Sequence, residues 1–277
     1  MLTTGHPLAA STKGQAAFQL PFAVNVIVYA AIVIVCLAVL GAVLLHTRRT
    51  VPDGRSLAAD RRWSTQDILV VAIMSVLLEV YDNLIGDQLV TPLVQGIPYA
   101  HNLAVNDLPY MFLLMIGIAV IRKPGAATAM VFLNFLLMQL LYGGSESSPL
   151  YWPYGLLQGV FLDLYILYGR RGRVFSSAGV PAVVDGLILG ALRAFPATAA
   201  QAAVITPLLS GITKTGGAIV VYVVLNTIGN SIEAGITAPL AVRIARTVRP
   251  DVGSADDDLL KPANDTSSQR PQKERER

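Results

Sequence analysis

Apolar residues form seven long runs along the chain instead of alternating with polar residues. Continuous apolar runs are typical of helices that cross a bilayer, whose hydrocarbon layer is about 30 Å thick. The pattern therefore predicts seven transmembrane helices, over Phe22–Leu45, Gln66–Ile85, Leu108–Ile121, Ala126–Tyr142, Tyr154–Tyr168, Val180–Ile205 and Ala218–Val242. The first run is too long for a signal-peptide core and lacks a cleavage site, so we expect it to stay as an anchor.

Lysine and arginine alternate strictly between the predicted loops. The loops after the first, third and fifth runs, together with Arg243–Arg249 after the seventh, hold thirteen of these residues, whereas the remaining loops hold only Lys214. Lys13 precedes the first run. Because basic loops stay in the cytoplasm, this bias predicts an amino terminus outside and a carboxyl terminus inside.

Composition agrees with a membrane protein. Of the 277 residues, 53% are hydrophobic and 14% are charged, against about 25% charged in a soluble domain. This excludes a soluble enzyme, a disordered chain and a fibrous or disulfide-rich secreted protein. Cys36 is the only cysteine and His6, His46 and His101 are scattered, so no disulfide and no metal site is expected. The net charge of +3 fits membrane orientation better than nucleic-acid binding.

Polar side chains form stripes within several of the runs. The second run carries Ser75, Glu79, Asp82 and Asn83 on one helical face, and the seventh carries Tyr222, Asn226, Asn230 and Glu233. The depth of these residues predicts a pocket in the outer half of the bilayer. Its expected ligand-binding residues are Glu79, Asp82, Asn83, Gln139, Tyr142, Trp152, Gln158, Asp163, Arg193, Asn226 and Asn230.

Carboxylates and amides beside aromatic rings suit a small polar, cationic or nitrogen-rich ring. The alternative is that these groups bond helix to helix, with Arg193 neutralising Glu79 or Asp163. A proton relay through Asp82 and Glu79 has weaker support, because no span contains a histidine. No protease, hydrolase or P-loop motif is present. We therefore expect a protein that is not an enzyme and carries no cofactor.

Two stretches resemble a known family. They are Ile121–Ala127, which reads IRKPGAA, and Tyr154–Leu164, which contains LLQG followed by Asp163. They are similar to the substrate-binding S components of energy-coupling factor (ECF) transporters, in the YkoE-like branch linked to thiamine and hydroxymethylpyrimidine. Asp67–Ile73, the basic turn Arg170–Arg173 and the entry Gly216-Gly217 fit the same family, over about Trp63 to Arg246.

The resemblance implies a six-helix S-component bundle with one extra amino-terminal helix. It implies a ligand pocket under the loop Gly86–Asp107, with Asp163 as the acid of the fourth core helix. It also implies a membrane coupling (T) subunit, docked against Ala72, Ser75 and Val76, and two ATPase subunits. The expected location is the plasma membrane of a prokaryote.

Five segments follow from this interpretation. Residues 1–20 are an extracytoplasmic segment, 21–45 the extra helix, 46–63 a basic cytoplasmic linker, 64–249 the core and 250–277 a disordered tail. The expected function is capture of a thiamine-like or pyrimidine vitamin or precursor for ATP-driven uptake. Two alternatives stay open: a non-transporting accessory subunit, and an ion-coupled carrier that works alone.

Overall fold

The computed structural model of the chain describes residues 17–46, 63–94, 96–97, 100, 102–141, 148–169 and 174–249. Seven main helices run through them: α1 (Phe22–His46), α2 (Thr65–Glu79), α3 (Leu108–Ile121), α4 (Ala126–Leu141), α5 (Trp152–Tyr168), α6 (Val180–Ala200) and α7 (Gly216–Val248). Within these ranges the only β-type pairing is an antiparallel bridge between Ala17 and Thr215. The predicted all-α class is thus confirmed. The expected amino-terminal segment up to residue 16, most of the linker, Tyr142 and the tail from 250 lie outside the described residues.

Two of the helices are continued by π-helical segments. Beyond Glu79, α2 continues as a π-helix over Val80–Val90 and a short turn over Thr91–Val94. Beyond Ala200, α6 continues as a π-helix over Gln201–Ile205 and then Thr206–Ser210, where Gly211 adopts φ 68°. Among the described residues, four stretches are long and apolar enough to cross a membrane: Phe22–Leu45, Thr65–Val94, Val180–Ser210 and Gly216–Val248. A multi-pass membrane protein therefore fits the fold. Helices α3, α4 and α5 are shorter than these four stretches.

Helices α2 to α7 enclose the main core. Its largest fully buried side chains include Met111, Leu114, Met130, Leu162 and Leu189. Helices α6 and α7 approach each other closely, and a Cβ added to Gly190 would stand 2.2 Å from the Asn230 carbonyl oxygen. Only glycine permits this distance, so the two helices pack backbone to backbone, as small residues allow in membrane bundles.

The two stretches that resemble the ECF family pack against each other. Gly159 of α5 lies so close to Thr128 of α4 that an added Cβ would be 2.4 Å from the Thr128 Cα. One turn further along α5, the buried Asp163 accepts hydrogen bonds from the backbone N–H groups of Ala127 (3.1 Å) and Thr128 (2.8 Å). Asp163 thereby satisfies N–H groups that the first turn of α4 leaves without helical partners.

Helix α1 lies at the edge of the bundle, against α5 and the final part of α6. Its Cys36 is fully buried with Phe135, Ala197 and Ile205. Asn25 donates to the carbonyl of Val204 (3.3 Å), inside the π-helical part of α6. The extra helix is therefore held to the bundle by packing and by a buried hydrogen bond.

One end of the bundle, which we call the basic end, carries Ser64, the Arg122–Gly125 turn and Arg249. Here the fully buried Asp67 accepts from Lys123 Nζ and Arg249 Nη1, each at 2.7 Å. Asp67 and Ser64 also form a capping box at the start of α2. A single carboxylate thus joins α2, the α3–α4 turn and the end of α7.

Candidate functional site

A cavity of about 140 Å³ opens near the other end of the bundle, which we call the cavity end. The turn before α3, helices α5 and α6 and the first part of α7 form its walls. The lining residues are Ala104, Asn106, Asp107, Tyr154, Gln158, Arg193, Ala194, Ala197, Thr198, Tyr222 and Asn226. The cavity is therefore polar, with three amides, one acid, one base and two phenol rings.

Arg193 of α6 forms the charged part of the wall and is itself buried. Its Nη1 donates to Asp107 Oδ2 (3.3 Å), to the Asn230 side-chain oxygen and to Met111 Sδ (3.3 Å). Its guanidinium carbon lies 4.4 Å from the centre of the Tyr110 ring. A cation at this depth needs acidic and aromatic partners, and the turn before α3 supplies Asp107 for that purpose.

The polar stripe of α7 continues the cavity wall inward. Asn226 lines the cavity, and Asn230, one turn deeper, donates to the Asn226 carbonyl (3.0 Å) and side-chain oxygen (3.3 Å). Asn230 also accepts from Arg193. The predicted α7 stripe therefore does reach the pocket, through Asn226 directly and through Asn230 behind it.

Glu79 belongs to a separate buried cluster. Its carboxylate accepts from Asn83 Nδ2 (2.6 Å) and Asn134 Nδ2 (2.8 Å). Asn134 in turn accepts from the Tyr110 hydroxyl at 3.4 Å, and the Tyr110 ring lies under Arg193. Glu79 and Asn83 are thus linked toward the cavity through Asn134 and Tyr110, and they do not line it. Asp82 follows Glu79 on the same helix and is also absent from the lining.

Two other predicted site residues form a pair near the surface. Trp152 Nε1 donates to Gln139 Oε1 (2.9 Å), and Gln139 Nε2 donates to the Ser148 carbonyl (3.3 Å). The Trp152 ring also packs edge-on against Phe132, with ring centres 5.7 Å apart. This pair ties α4 to the start of α5 outside the cavity lining.

Two further predicted residues, Asp163 and Ser75, lie in places other than the predicted ones. Asp163 is fully buried at the start of α4, and so it does not line the cavity. Ser75, expected on a docking surface with Ala72 and Val76, is completely buried and donates to the carbonyls of Val71 (2.8 Å) and Met130 (3.1 Å). Val76 is half exposed. Ser75 therefore holds α2 to α4 and does not lie on an outer face.

Several cavity residues were not among the predicted ones. Asn106, Asp107, Tyr154, Thr198 and Tyr222 line the cavity with Gln158, Arg193 and Asn226, which were predicted. One signal was available: Arg193 is the only basic residue inside a predicted span, and such a cation requires an acid. Asp107, at the end of the long uncharged loop, was a suitable partner in the sequence.

The mouth of the cavity carries a further cation. Lys214 Nζ lies 4.4 Å from the centre of the Tyr222 ring, and burial lowers the pKa of this lysine from its ordinary value. Its backbone carbonyl accepts from the N–H of Phe18 (2.9 Å), just before α1. Lys214 therefore fixes one aromatic wall of the cavity and connects it to the amino-terminal segment.

The chemistry of the cavity is that of a binding site for one small ring. Amide groups and a carboxylate offer in-plane hydrogen bonds, and the phenol rings offer apolar and π surfaces. A cavity of about 150 Å³ holds one benzene molecule, so the observed 140 Å³ matches a single six-membered ring. Comparison with protein-family models, with curated proteins and with solved structures gives no match to this chain.

Proposed function

We propose that the chain is the membrane-embedded substrate-binding subunit of an ECF-type importer and captures a small pyrimidine-like ring in the cavity. The observation that carries the proposal is the cavity itself, because Gln158, Asn226 and Asp107 face one ring-sized space. Its volume favours hydroxymethylpyrimidine over the larger, two-ring thiamine. Two features support the ECF family in particular, namely the IRKPGAA and LLQG stretches and the contact between them.

In this proposal all seven helices cross the plasma membrane of a prokaryote. The basic end lies in the cytoplasm, where basic residues stay during insertion, and the cavity faces outward. Helices α2 to α7 form the six-helix S-component bundle. A coupling subunit and two ATPase subunits drive the uptake, and Val76 is the part of the expected docking set that is exposed.

Ligand capture is tested on the full chain purified in detergent. Mass spectrometry of the small molecules that co-purify with it is expected to find a pyrimidine. Calorimetry is expected to show tighter binding of hydroxymethylpyrimidine than of thiamine. If neither compound binds and no ring compound co-purifies, the cavity is not a vitamin site.

Orientation is tested separately, on intact cells with an impermeant thiol reagent. Cys36 is buried and is replaced by alanine, and one cysteine is then introduced as Gly5→Cys or Asp265→Cys. Labelling at position 5 and none at position 265 is expected. The opposite pattern would reverse the proposed orientation and place the cavity on the cytoplasmic side.

A further inference from the structure

Glu233 differs from every other buried acid in the part of the chain that the structure describes. Asp67, Glu79, Asp163 and Asp185 each accept at least two hydrogen bonds, those of Asp185 coming from the Tyr165 hydroxyl and the Phe175 N–H, both at 3.0 Å. Glu233 is 6% exposed, and its Oε2 is enclosed without a hydrogen-bond partner among the described residues. An ionised carboxylate in that position is strongly unfavourable, because burial removes its hydration and nothing replaces it.

The charged and titratable groups near Glu233 come from α6, from the turn before α3, from α2 and from α3. Arg193 of α6 and Asp107 of the turn before α3 are within electrostatic range of its carboxyl group. Tyr81, in the π-helical continuation of α2, is also within this range, and its phenol donates to the Asn106 carbonyl at 2.6 Å. On α3, Tyr110 lies against Arg193.

Arg193 is the one cation among these groups, and its Nη1 hydrogen bonds are made to residues other than Glu233. Its Nη1 hydrogen bonds go to Asp107, Asn230 and Met111, so its charge is offset by that of Asp107. Asp82 also acts on Arg193 and adds a further negative charge to the surroundings. Because the acids here outnumber the base, a neutral, protonated Glu233 has the lower energy while Arg193 stays on Asp107.

Glu233 is connected to the cavity along one face of α7. It follows Asn226 by seven residues and Asn230 by three, which places all three side chains on the same side of the helix. Asn226 lines the cavity and Asn230 contacts Arg193. Arg193 therefore lines the cavity and contacts α7 at Asn230, within one helical turn of Glu233.

We propose that Glu233 is a proton-binding site that exchanges its proton for Arg193 when a cation occupies Asp107. A pyrimidine that binds in its ring-protonated form carries one positive charge into the cavity and pairs with Asp107, which releases Arg193. The guanidinium then pairs with Glu233, whose O–H bond breaks and whose proton passes to water. One positive charge enters and one leaves, so the charge of the site is unchanged. The occupant of Asp107 rests on the proposed function, whereas the proton on Glu233 does not.

The test needs no ligand, because Asp107→Asn removes the same charge that a bound cation would neutralise. Infrared difference spectroscopy on the full chain in detergent follows the C=O absorption of protonated carboxyl groups. Wild type minus Glu233→Gln is expected to show one such band at neutral pH. In the Asp107→Asn background the same difference is expected to vanish, and the proton affinity of Glu233 to fall at least tenfold.

A chemical measurement on the wild-type protein supports the same conclusion independently of folding in the variants. A hydrophobic carbodiimide reacts with protonated carboxyl groups, so peptide mass spectrometry is expected to find Glu233 modified and the ion-paired Asp67 unmodified. An unreactive Glu233 together with no band in the first difference spectrum would show that the group is ionised and overturn the proton site.

A band that persists in Asp107→Asn would overturn the exchange with Arg193 and leave only a fixed proton. Asp107→Ser serves as the second variant if Asp107→Asn does not elute as a folded species from size-exclusion chromatography. Absence of pyrimidine binding in calorimetry would contradict the proposed function alone, since none of these spectra depends on a ligand.

Discussion

The basic end and the cavity end of the bundle use buried acids in different ways. At the basic end, Asp67 and Asp163 are surrounded by cations and backbone N–H groups that satisfy them completely. Toward the cavity end, Asp107 shares one arginine and a quarter of its side chain is exposed. Glu233, midway along α7, has an enclosed oxygen without a partner among the described residues. Buried acids that are fully paired hold helices together, and those left incompletely paired are available to a ligand or a proton.

The largest effect is expected where the pairing is most complete. Asp67→Leu removes one carboxylate but leaves Lys123 and Arg249 facing each other without a counter-charge. Removing one member of a buried ion pair costs about 3–5 kcal/mol. Thermal unfolding in detergent is expected to show a correspondingly large loss of stability.

Lys123→Met is the matched control for Asp67→Leu, because it leaves Asp67 paired with Arg249 and with Ser64. Its loss of stability is expected to be clearly smaller. Equal stability of Asp67→Leu and wild type would mean that the contacts at the basic end do not hold the three segments together, and the comparison between the two ends would fail.

A substitution of Asp163 tests whether this acid stabilises the basic end or binds the ligand. Asp163→Asn keeps one acceptor oxygen and replaces the other by an NH₂ group, which faces a backbone N–H of α4. The unsatisfied donors are expected to cost about 1–3 kcal/mol of stability, with ligand affinity unchanged once the protein is folded. Calorimetry with hydroxymethylpyrimidine at low temperature checks the second half. A loss of affinity without a loss of stability would restore Asp163 as a ligand-binding residue.

The helices themselves were largely predictable, and the site only in part. Each apolar run contains a helix in the structure, as expected for segments whose backbone must be satisfied without water. The second predicted run ends at Ile85, so the continuation of α2 from Gly86 to Val94 was missed, because Gly86, Asp87 and Gln88 interrupt the apolar pattern there. Gln158 was placed in the pocket by its depth and Asp163 by the family resemblance. Five residues separate them, which is about 140° around a helix, so only Gln158 faces the cavity. The pairing of Arg193 with Asp107 depends on tertiary contact, which spacing along the chain does not contain.

Gln158 and Gln139 offer a direct comparison between a cavity residue and a predicted site residue that lies elsewhere. Gln158→Leu removes an amide from the cavity wall and is expected to weaken hydroxymethylpyrimidine binding about tenfold, as for one hydrogen bond worth about 1.4 kcal/mol. Gln139→Leu makes the same change outside the cavity and is expected to leave affinity unchanged. Calorimetry on both variants measures the difference. Equal losses would mean that the lining does not define the binding site.

The smallest effect concerns α1, which contacts the bundle at the cavity end through two hydrogen bonds of different burial. Asn25→Leu leaves the Val204 carbonyl without its buried donor and is expected to cost about 1 kcal/mol. Tyr29→Phe removes the exposed bond to the Leu150 carbonyl (2.9 Å) and is expected to cost less, because water replaces it. Thermal unfolding of the two variants ranks them. Asn25 bonds to the π-helical part of α6, which follows the cavity residues Ala197 and Thr198 along the same helix. A loss of ligand affinity in Asn25→Leu alone would therefore show that α1 supports the shape of the cavity. Unchanged affinity in both variants would make α1 an attached but separate helix.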